Sequence, residues 1–424
     1  MINQELPESW VVNRLGDFVL YQKGKKPTSL AKIQTESHNI AYVNIKAFER
    51  GVIDEYTDGE GCVLCEDNDF LMVWDGSRSG YVGRAIKGAL GSTLVRIYFP
   101  GVNLDYGYFF LQSKFLEINS RAKGTGIPHV DPDLVWNYSF PLPPLEEQHR
   151  IVAKIEELFS QLDNGIETLN KAKQQLKIYR QAVLKYAFEG KLTNPDVKEG
   201  ELPEGWVIKH FGDCTINYDG KRVPLNKEMR ANRKGNYRYY GATEVVDYID
   251  DYLFDGRYLL IGEDGANLLT KSKPLSHITE GKFWVNNHAH IVQSVSWASL
   301  DYLCHYINSL HLDQFVTGTA QPKLTQANLN KIPVAVPRNI KEQDRITQEI
   351  ESRLSVCDKI EESIEQGLRQ ADALRQSILK RAFEGKLVPQ DPYDEPASVL
   401  LERIKAEKSA KKPVKKTSTK KSKG

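Results

Sequence analysis

The chain has 424 residues, with 57 lysine and arginine side chains against 56 aspartate and glutamate side chains, so its formal charge is only +1. This balance excludes a uniformly basic surface of the kind that binds polyanions without selectivity. The charge is unevenly distributed, however, because residues 405–424 contain nine lysines and a single acid, a local charge of +8. Residues 1–404, the body of the chain, therefore have a net charge of −7. Any nucleic-acid site in the body must therefore consist of local basic patches.

Composition and cysteine usage narrow the class of protein further. With 40% hydrophobic and 27% charged residues, the chain is long enough for two or three separately cored domains. The start of the chain is polar and no apolar run approaches the roughly 18 residues of a membrane helix, which predicts a cytoplasmic protein without a membrane partner. The five cysteines are scattered, and the CxxC pair Cys62 and Cys65 has no second pair at zinc spacing, which favours free thiols over a metal site.

An internal repeat organises the sequence. Segment 5–19 reads ELPESWVVNRLGDFV and segment 201–215 reads ELPEGWVIKHFGDCT, with eight identical positions. The end of the repeat recurs as well, because QAVLKYAFEGKL at 181–192 returns as QSILKRAFEGKL at 376–387 with nine identical positions. The chain is therefore a tandem duplication.

Each copy changes character in the same place. Its first part is rich in glycine, tyrosine and short β-branched or aromatic runs separated by DG and GT turns, which predicts a mixed, sheet-containing globule. After a proline cluster, apolar residues recur every 3.6 positions from Ile151 to Ala187 and again from Ile346 to Ala382, which predicts a long helix in each copy. Gly165 and Gly367 are the positions at which these helices could be irregular.

Connectivity predicts how these parts are arranged. A lone helix of this length cannot bury its stripe of apolar side chains against one small domain, so the two helices are expected to pack on each other. The first must carry the chain from one globule to the other and the second must carry it back, which predicts an antiparallel pair with a pseudo-twofold relation. The predicted fold class is α+β, with a first globule at 1–143, a helix at 144–192, a second globule at 193–337, a second helix at 338–390, a short C-terminal helix at 391–408 and a disordered basic tail at 409–424.

Four segments resemble a known family. They are PLPPLEEQHRIV at 141–152, the AFEGKL ends of both long helices, and residues 239–268 of copy two. They are similar to the specificity subunit of type I restriction-modification systems, and the resemblance covers essentially residues 1–408. It implies that each globule is a target recognition domain that reads one half of a split double-stranded DNA motif.

The resemblance also implies partners. The helix pair would act as a spacer and dock methyltransferase (M) subunits, two in number, and the sequence leaves open whether restriction/translocase (R) subunits join them. Copy two has VAVPRNIKEQ where copy one has the proline-rich PLPPLEEQ, a difference that could alter the docking surface there.

Candidate DNA contacts lie in loops that combine glycine with lysine, arginine, threonine or asparagine, because such loops let the backbone approach a phosphate while a side chain reaches a base. For any single residue, an ordinary turn or a satisfied polar strand position is an equally good interpretation. The candidates in copy one are Lys25, Lys26, Ser77, Arg78, Arg84, Lys123, Thr125 and His129. The candidates in copy two are Lys221, Arg222, Tyr239, Lys271, Lys273, Asn286, Asn287, His288, Thr317, Thr319 and Lys323.

The sequence carries no recognisable catalytic or cofactor motif. The Asp/Asn-Pro-Pro-aromatic motif of amino methylation, GxGxxG after a strand and GxxxxGK[ST] do not occur. Glu263, Asp264, His288 and His290 have no further ligands at a recognisable metal spacing. We therefore expect a non-catalytic subunit that needs no cofactor and no metal. The alternative left open is a helical scaffold of the same fold that binds partner helices but no specific DNA.

Overall fold

A computed structural model describes residues 6–124, 126–318 and 321–410, with side chains up to residue 406. The chain divides into two compact units. Unit 1 combines residues up to Glu167 with residues from Leu368 onward, and unit 2 is Thr168–Gly367. Within the described ranges, no helix has the length and apolarity needed to cross a membrane.

Unit 1 is built from short strands and helices. Its strands are β1 (Val11–Arg14), β2 (Leu20–Lys23), β3 (Ile40–Val43), β4 (Tyr56–Thr57), β5 (Leu64–Cys65), β6 (Phe70–Val73), β7 (Val82–Arg84), β8 (Gly88–Leu90), β9 (Leu94–Tyr98) and β10 (Ser139–Leu142). Its helices begin with α1 (Ile45–Arg50), α2 (Leu104–Ser120), α3 (Pro132–Trp136) and the first part of α4 (Leu145–Phe188).

Unit 2 follows the same plan with longer strands. Its strands are β11 (Trp206–His210), β12 (Thr215–Asn217), β13 (Lys234–Tyr240), β14 (Val245–Ile249), β15 (Phe254–Gly262), β16 (Ser276–Val285), β17 (Ala289–Ser294), β18 (Val316–Thr317), β19 (Lys323–Leu324) and β20 (Pro333–Pro337). Its helices are α5 (Phe211–Cys214), α6 (Lys227–Ala231), α7 (Asn267–Thr270), α8 (Leu300–Ser309), α9 (Gln326–Asn330) and the first part of α10 (Ile340–Phe383), and α11 (Ala397–Ala410) follows in unit 1.

The sheets repeat along with the sequence. Unit 1 has a sheet of order β2-β9-β6-β7, and the sheet of unit 2 begins with the same succession, β12-β17-β15-β16, before adding β13 and β14. In both units the first strand pairs antiparallel with the strand that precedes the long helix, as β1 with β10 and β11 with β20. The central strands β6 and β15 therefore occupy matching positions, and both end in an Asp-Gly turn.

The repeated tryptophan and the repeated Glu-Gln pair fasten each long helix to its unit. The indole N–H of Trp10 donates to Glu147 at 3.0 Å, and that of Trp206 donates to Glu342 at 3.0 Å. In each case the indole belongs to the segment that forms or precedes the first strand, and the carboxylate lies in the first turn of the helix. Because a buried indole N–H needs an acceptor, these identities in the repeat are explained by one hydrogen bond.

Both long helices are continuous through the glycines at which they could have been irregular. In unit 2, Lys173 Nζ lies 3.0 Å from Glu365 and Arg180 lies 2.7 Å from Asp358, so the partner number falls as the residue number rises. This is the predicted antiparallel packing. Gly367 allows close approach of the helices, since a Cβ there would lie 3.1 Å from Leu169 Cδ1.

Charge patterning specifies this antiparallel direction. The α4 segment 168–188 carries five basic side chains and no acid, and it packs in unit 2 against the α10 segment 340–367, which carries eight acids and four bases. In unit 1 the acidic start of α4 packs against the basic end of α10, where Arg375 pairs with Asp163. A parallel pair would place acid against acid, so it is disfavoured. Acids near a helix start and bases near its end also suit the helix dipole.

Helix α11 completes the core of unit 1. Its Leu400 and Ile404 side chains are buried, and Asp394 just before it forms a two-point ion pair with Arg150 at 2.6 and 3.2 Å. Ile404 lies against Gly101, where a Cβ would come within 2.7 Å of its Cγ1 atom.

In unit 2 a tryptophan side chain stands at the position equivalent to Gly101, against which α11 packs in unit 1. Gln148 accepts a hydrogen bond from the Asn103 N–H, and the equivalent Gln343 accepts one from the Ser299 N–H. Gly101 and Trp297 each lie two residues before these donors, so they occupy equivalent positions. Trp297 packs against the core of unit 2. The chain therefore covers one core with a tryptophan and the other with a helix.

Truncation after Gln390 is expected to destabilise unit 1 and to spare unit 2. Burial of Leu400 and Ile404 contributes about 1.5–3 kcal/mol for each side chain, so the expected loss is about 3–6 kcal/mol. Hydrogen exchange measured by mass spectrometry in both units checks this prediction. Truncation after Ala410 retains α11 and serves as the control. Equal protection of unit 1 in the two truncated chains would contradict the assignment.

Candidate nucleic-acid interface

In unit 1, three loops meet at the end of strand β6. The carboxylate of Asp75 accepts a hydrogen bond from Lys23 Nζ at 2.8 Å and pairs with His129 Nδ1 at 2.7 Å. The N–H of Gly76 donates to the carbonyl of Pro128 at 2.8 Å. Loops that lie far apart in the sequence, and that were predicted separately, therefore form one surface. We call this surface site 1 and define it by Lys23, Lys25, Lys26, Asp75 and His129.

A tight hairpin presents His129 at site 1. The N–H of Lys123 donates to the His129 carbonyl at 2.8 Å, and the N–H of His129 donates back at 2.7 Å. Gly124 lies between them with φ +110°, and a Cβ there would come within 2.5 Å of the Ile127 carbonyl oxygen. Only glycine fits this conformation without strain. Lys123 is exposed, and its hydrogen bond to Asp131 raises the pKa of its ammonium group.

The other predicted residues of copy one have different surroundings. Lys25, Lys26 and Ser77 are exposed, and the guanidinium of Arg78 lies 3.9 Å above the ring of Tyr81. Arg84 pairs with Asp105 at the start of α2, so the structure does not bring it into site 1. Predicted contact Thr125 lies outside the described residues.

Unit 2 repeats this frame at the end of strand β15. The N–H of Gly265 donates to the carbonyl of Pro322 at 3.0 Å, as Gly76 does to Pro128 in unit 1. The carboxylate of Asp264 pairs with His288 Nδ1 at 2.8 Å. We call this surface site 2 and define it by Lys221, Asp264, His288 and Lys323.

A buried ion network supports site 2 from below. The two ring nitrogens of His290 face acceptors, Asp219 at 2.6 Å and the Leu324 carbonyl at 2.8 Å, so a charged imidazolium satisfies both. Arg222 lies 2.7 Å from Glu263. Burial opposes ionisation of Asp219, but the hydrogen bond and charge of His290, with the Ile291 N–H and Arg222, outweigh it and lower its pKa.

This network does not fit a metal centre. One ligand atom each from Asp219, Glu263 and His290 lie within 4.8 Å of one another, a spacing that a divalent cation could use. However, Arg222 donates to Glu263, and Lys323 Nζ lies 3.2 Å from the same carboxylate. Protein cations therefore already compensate the carboxylates, and an added cation would face a guanidinium group at close range.

Several predicted residues of copy two have structural roles. Tyr239 is fully buried, and its hydroxyl accepts a hydrogen bond from the Leu225 N–H at 2.9 Å, so it is a core residue and not a DNA contact. Arg222 is largely buried in the ion network described above. Asn286 is buried, and its side-chain oxygen accepts a hydrogen bond from the His288 N–H at 2.8 Å, which shapes the turn.

The remaining candidates of copy two fall at different places. Lys221 lies 5.0 Å above the Tyr218 ring, while Asn287 and Thr317 are exposed. Lys273 pairs with Glu244 at 2.7 Å. Thr319 lies outside the described residues.

Lys271 is directed away from site 2. It lines a cavity of about 410 Å³ between α4 and the end of α8, and burial lowers the pKa of its ammonium group. Its Nζ atom lies 3.4 Å from the Ser309 carbonyl oxygen.

Sequence reasoning missed the carboxylates that organise the two sites. Asp75 belongs to a predicted turn whose candidate contacts are Ser77 and Arg78, and Asp264 is considered from the sequence only as a metal ligand, so neither is predicted as a DNA contact. A signal for them exists, since an Asp-Gly pair begins two residues after the end of the most apolar strand of each copy, in FLMVWDG and YLLIGEDG. The basic loops also repeat, because Gly-Lys-Lys at 24–26 returns as Gly-Lys-Arg at 220–222.

Comparison with known proteins agrees with this duplicated architecture. The profile of the type I restriction modification DNA specificity domain matches residues 7–177 and 203–370. The chain is 28% identical over 378 residues to the type I restriction enzyme MjaVIII specificity subunit of Methanocaldococcus jannaschii, covering 82% of this chain and 86% of that protein. It is 25% identical to the EcoDI specificity subunit of Escherichia coli, covering 96% and 97% of the two chains.

Solved structures show the same fold. One, from work on complex assembly and conformational transition of the type I R-M system, superposes with a TM-score of 0.70 at 18% identity, covering 90% of this chain and 99% of that one. The HsdS subunit of Thermoanaerobacter tengcongensis gives a TM-score of 0.55 at 18% identity, covering 91% and 99%. With both repeats matched by the family profile, the chain belongs to the type I restriction modification DNA specificity family and is a DNA sequence-specificity subunit.

Proposed function

We propose that site 1 and site 2 each read one half of a bipartite double-stranded DNA motif, and that the chain itself carries out no chemistry. The observation that supports this proposal is the shared frame of the two sites. In both units an Asp-Gly turn at the end of the central strand is hydrogen-bonded to the residue before a basic side chain, His129 or Lys323. One scaffold that presents different side chains suits two readers of different sequences.

Electrostatics supports the same assignment. The body of the chain up to residue 404 has a net charge of −7, so DNA is repelled from most of its surface. Lys25 and Lys26 are exposed at site 1, and Lys221 is the equivalent of Lys25 at site 2. These ammonium groups would contact phosphates and fix the register, and the imidazoles of His129 and His288 would face base edges.

The partner subunits are part of the proposal. We infer that two methyltransferase (M) subunits dock on the long helices, and that a restriction/translocase (R) subunit joins the complex in the cytoplasm. In unit 2 these helices form an apolar groove of about 480 Å³, with Tyr179, Val356 and Ile360 between 43% and 55% exposed. Exposed apolar side chains of this kind suit a partner helix. No cofactor is proposed for this chain.

Methylome sequencing of strains with and without the chain tests the function. Deletion is expected to abolish methylation of one split motif, and the wild-type chain is expected to restore it. A chain carrying Lys331→Ala, an exposed position of unit 2 outside site 2, should restore it as well. An unchanged methylation pattern after deletion would support the alternative of a scaffold that binds partner subunits without reading DNA.

A further inference from the structure

An aspartate–histidine pair occurs at the same place in both units. His129 Nδ1 lies 2.7 Å from Asp75, and His288 Nδ1 lies 2.8 Å from Asp264. The imidazoles are 52% and 47% exposed, whereas the carboxylates are only 14% and 16% exposed. Each pair therefore consists of a shielded carboxylate and an imidazole at the surface.

The two aspartates are equivalent by backbone geometry. The Trp74 carbonyl accepts a hydrogen bond from the Val130 N–H at 2.9 Å, and the Glu263 carbonyl accepts one from the Leu324 N–H at 2.8 Å. The glycines after the aspartates donate to Pro128 and Pro322, as described above. The frame around each aspartate is thus the same in the two units.

The two histidines are not equivalent. His129 follows Pro128 in the hairpin, and the same place in unit 2 is taken by Lys323. His288 precedes β17, and its carbonyl accepts from the Glu263 N–H at 2.8 Å, as the Thr93 carbonyl accepts from the Trp74 N–H in unit 1. The imidazoles therefore reach matching aspartates from different parts of the chain. A feature inherited through the duplication would use the same position, so the recurrence of the pair indicates a shared function.

The carboxylate fixes which ring nitrogen carries the proton. An imidazole that donates Nδ1–H to a carboxylate has, when neutral, an acceptor at Nε2. Among the described residues, no group donates to Nε2 of either histidine. In the major groove, the exocyclic amino groups of adenine and cytosine are donors, whereas guanine and thymine present acceptors at the corresponding oxygen positions.

We propose that His129 and His288 are specificity-determining residues, and that each accepts a hydrogen bond from the amino group of an adenine or cytosine in the half motif read by its unit. Asp75 and Asp264 are the positioning residues that hold the tautomer and the ring orientation. The inference rests on the proposed function, since it names the base class that each site reads.

Lysine variants of the two histidines test the inference. A lysine ammonium only donates, so His129→Lys is expected to change the preference at one position of the first half from adenine or cytosine to guanine or thymine. His288→Lys is expected to do the same in the second half. The measured quantity is the methylation rate, by the complete complex, of duplexes that carry each of the four bases at every position of the motif. The expected change in preference is about 5- to 150-fold, and the untouched half serves as an internal control.

Three further variants complete the test. His129→Gln retains an acceptor oxygen and is expected to retain the wild-type base preference at a lower rate. Asp75→Asn is expected to reduce the discrimination between amino and keto bases while methylation of the preferred duplex continues, an effect that a purely structural role would not produce. His311→Lys introduces the same substitution at an exposed position of unit 2 outside site 2 and should leave the motif unchanged.

The outcomes separate this inference from the proposed function. If the wild-type complex prefers no base at any position, the proposed function fails. If wild-type specificity is intact and the lysine variants keep the wild-type bases, the inference is wrong. Equal loss of methylation in the lysine and glutamine variants, regardless of the base, would also overturn it, because an acceptor at Nε2 would then not be the decisive group.

Discussion

Insertion of seven residues into both long helices is expected to lengthen the spacer of the recognised motif and to leave its two halves unchanged. The insertions belong between Leu162 and Leu176 in α4 and between Ile364 and Leu374 in α10. Seven residues add about 10 Å of helix, the length of about three base pairs. They also complete nearly two turns, so the apolar stripe keeps its direction. Methylome sequencing would report the new spacer and the complete loss of the original motif.

The control for this experiment is the same insertion in α4 alone. That change would shift Lys173 and Arg180 away from Glu365 and Asp358, so the antiparallel pair would lose its register and methylation would be abolished. If the helix pair sets the length of the spacer, only the double insertion yields a methylated motif with a new spacer. Altered bases in either half of that motif would contradict it, because the recognition units are not changed.

Replacement of Asp219 by alanine is expected to destabilise unit 2 strongly. It would leave Nδ1 of His290 and the N–H of Ile291 buried without an acceptor. Loss of a buried, charged hydrogen-bond acceptor costs about 3–5 kcal/mol of unfolding free energy. Since His290 also donates to the Leu324 carbonyl beside Lys323, site 2 should lose its shape and methylation of the motif should cease. Denaturant unfolding and methylome sequencing measure the two effects.

Glu280→Ala is the matched control, because it removes a carboxylate from an exposed ion pair with Arg257 in the same unit. A surface pair of this kind contributes at most about 1 kcal/mol. Equal stability of the two variants would show that the network around Asp219 is not important for the fold.

The lowered pKa of Asp219 also predicts a dependence on pH. Its contribution to stability is present above the unfolded-state value of about 3.9 and is lost as pH falls through the lower folded-state value. The Asp219→Ala variant should accordingly show a weaker loss of stability in acid than the wild-type chain.

Local and periodic features of the sequence predicted the secondary structure well. The apolar residues that recur every 3.6 positions indicated the long helices, and the similar sequence segments at both ends of each copy indicated the duplication. The Gly-Lys loops and the Asp-Gly loop at 75–80 are also predicted, because glycine next to charged residues is a local signal, whereas the turn at Asp264 is not. The prediction of a loop contact is wrong for Tyr239. It lies in strand β13, between β16 and β14, and its side chain packs in a buried cluster with Ile249 and Trp284.

Long-range contacts decided which of the predicted residues belong to a site. Lys23, Asp75 and His129 are separated from one another by about fifty residues along the chain. No local or periodic pattern in the sequence indicates that they meet. The same holds for Lys271, which shares a loop with Lys273 yet is directed toward α4. A side chain's direction depends on the packing of the element that carries it, and that packing involves residues far away in the chain.

By itself, the sequence determined the duplication, the helices and, through the acidic starts and basic ends of α4 and α10, the direction in which the helices pair. These properties depend on residues that are neighbours along the chain or that repeat with a fixed period. Only the tertiary structure decided that Trp297 and α11 cover equivalent places, and that two histidines from different loops reach equivalent aspartates. The physical reason is that such contacts form only when the sheets have assembled, because strand pairing is what brings the loop ends within hydrogen-bonding distance.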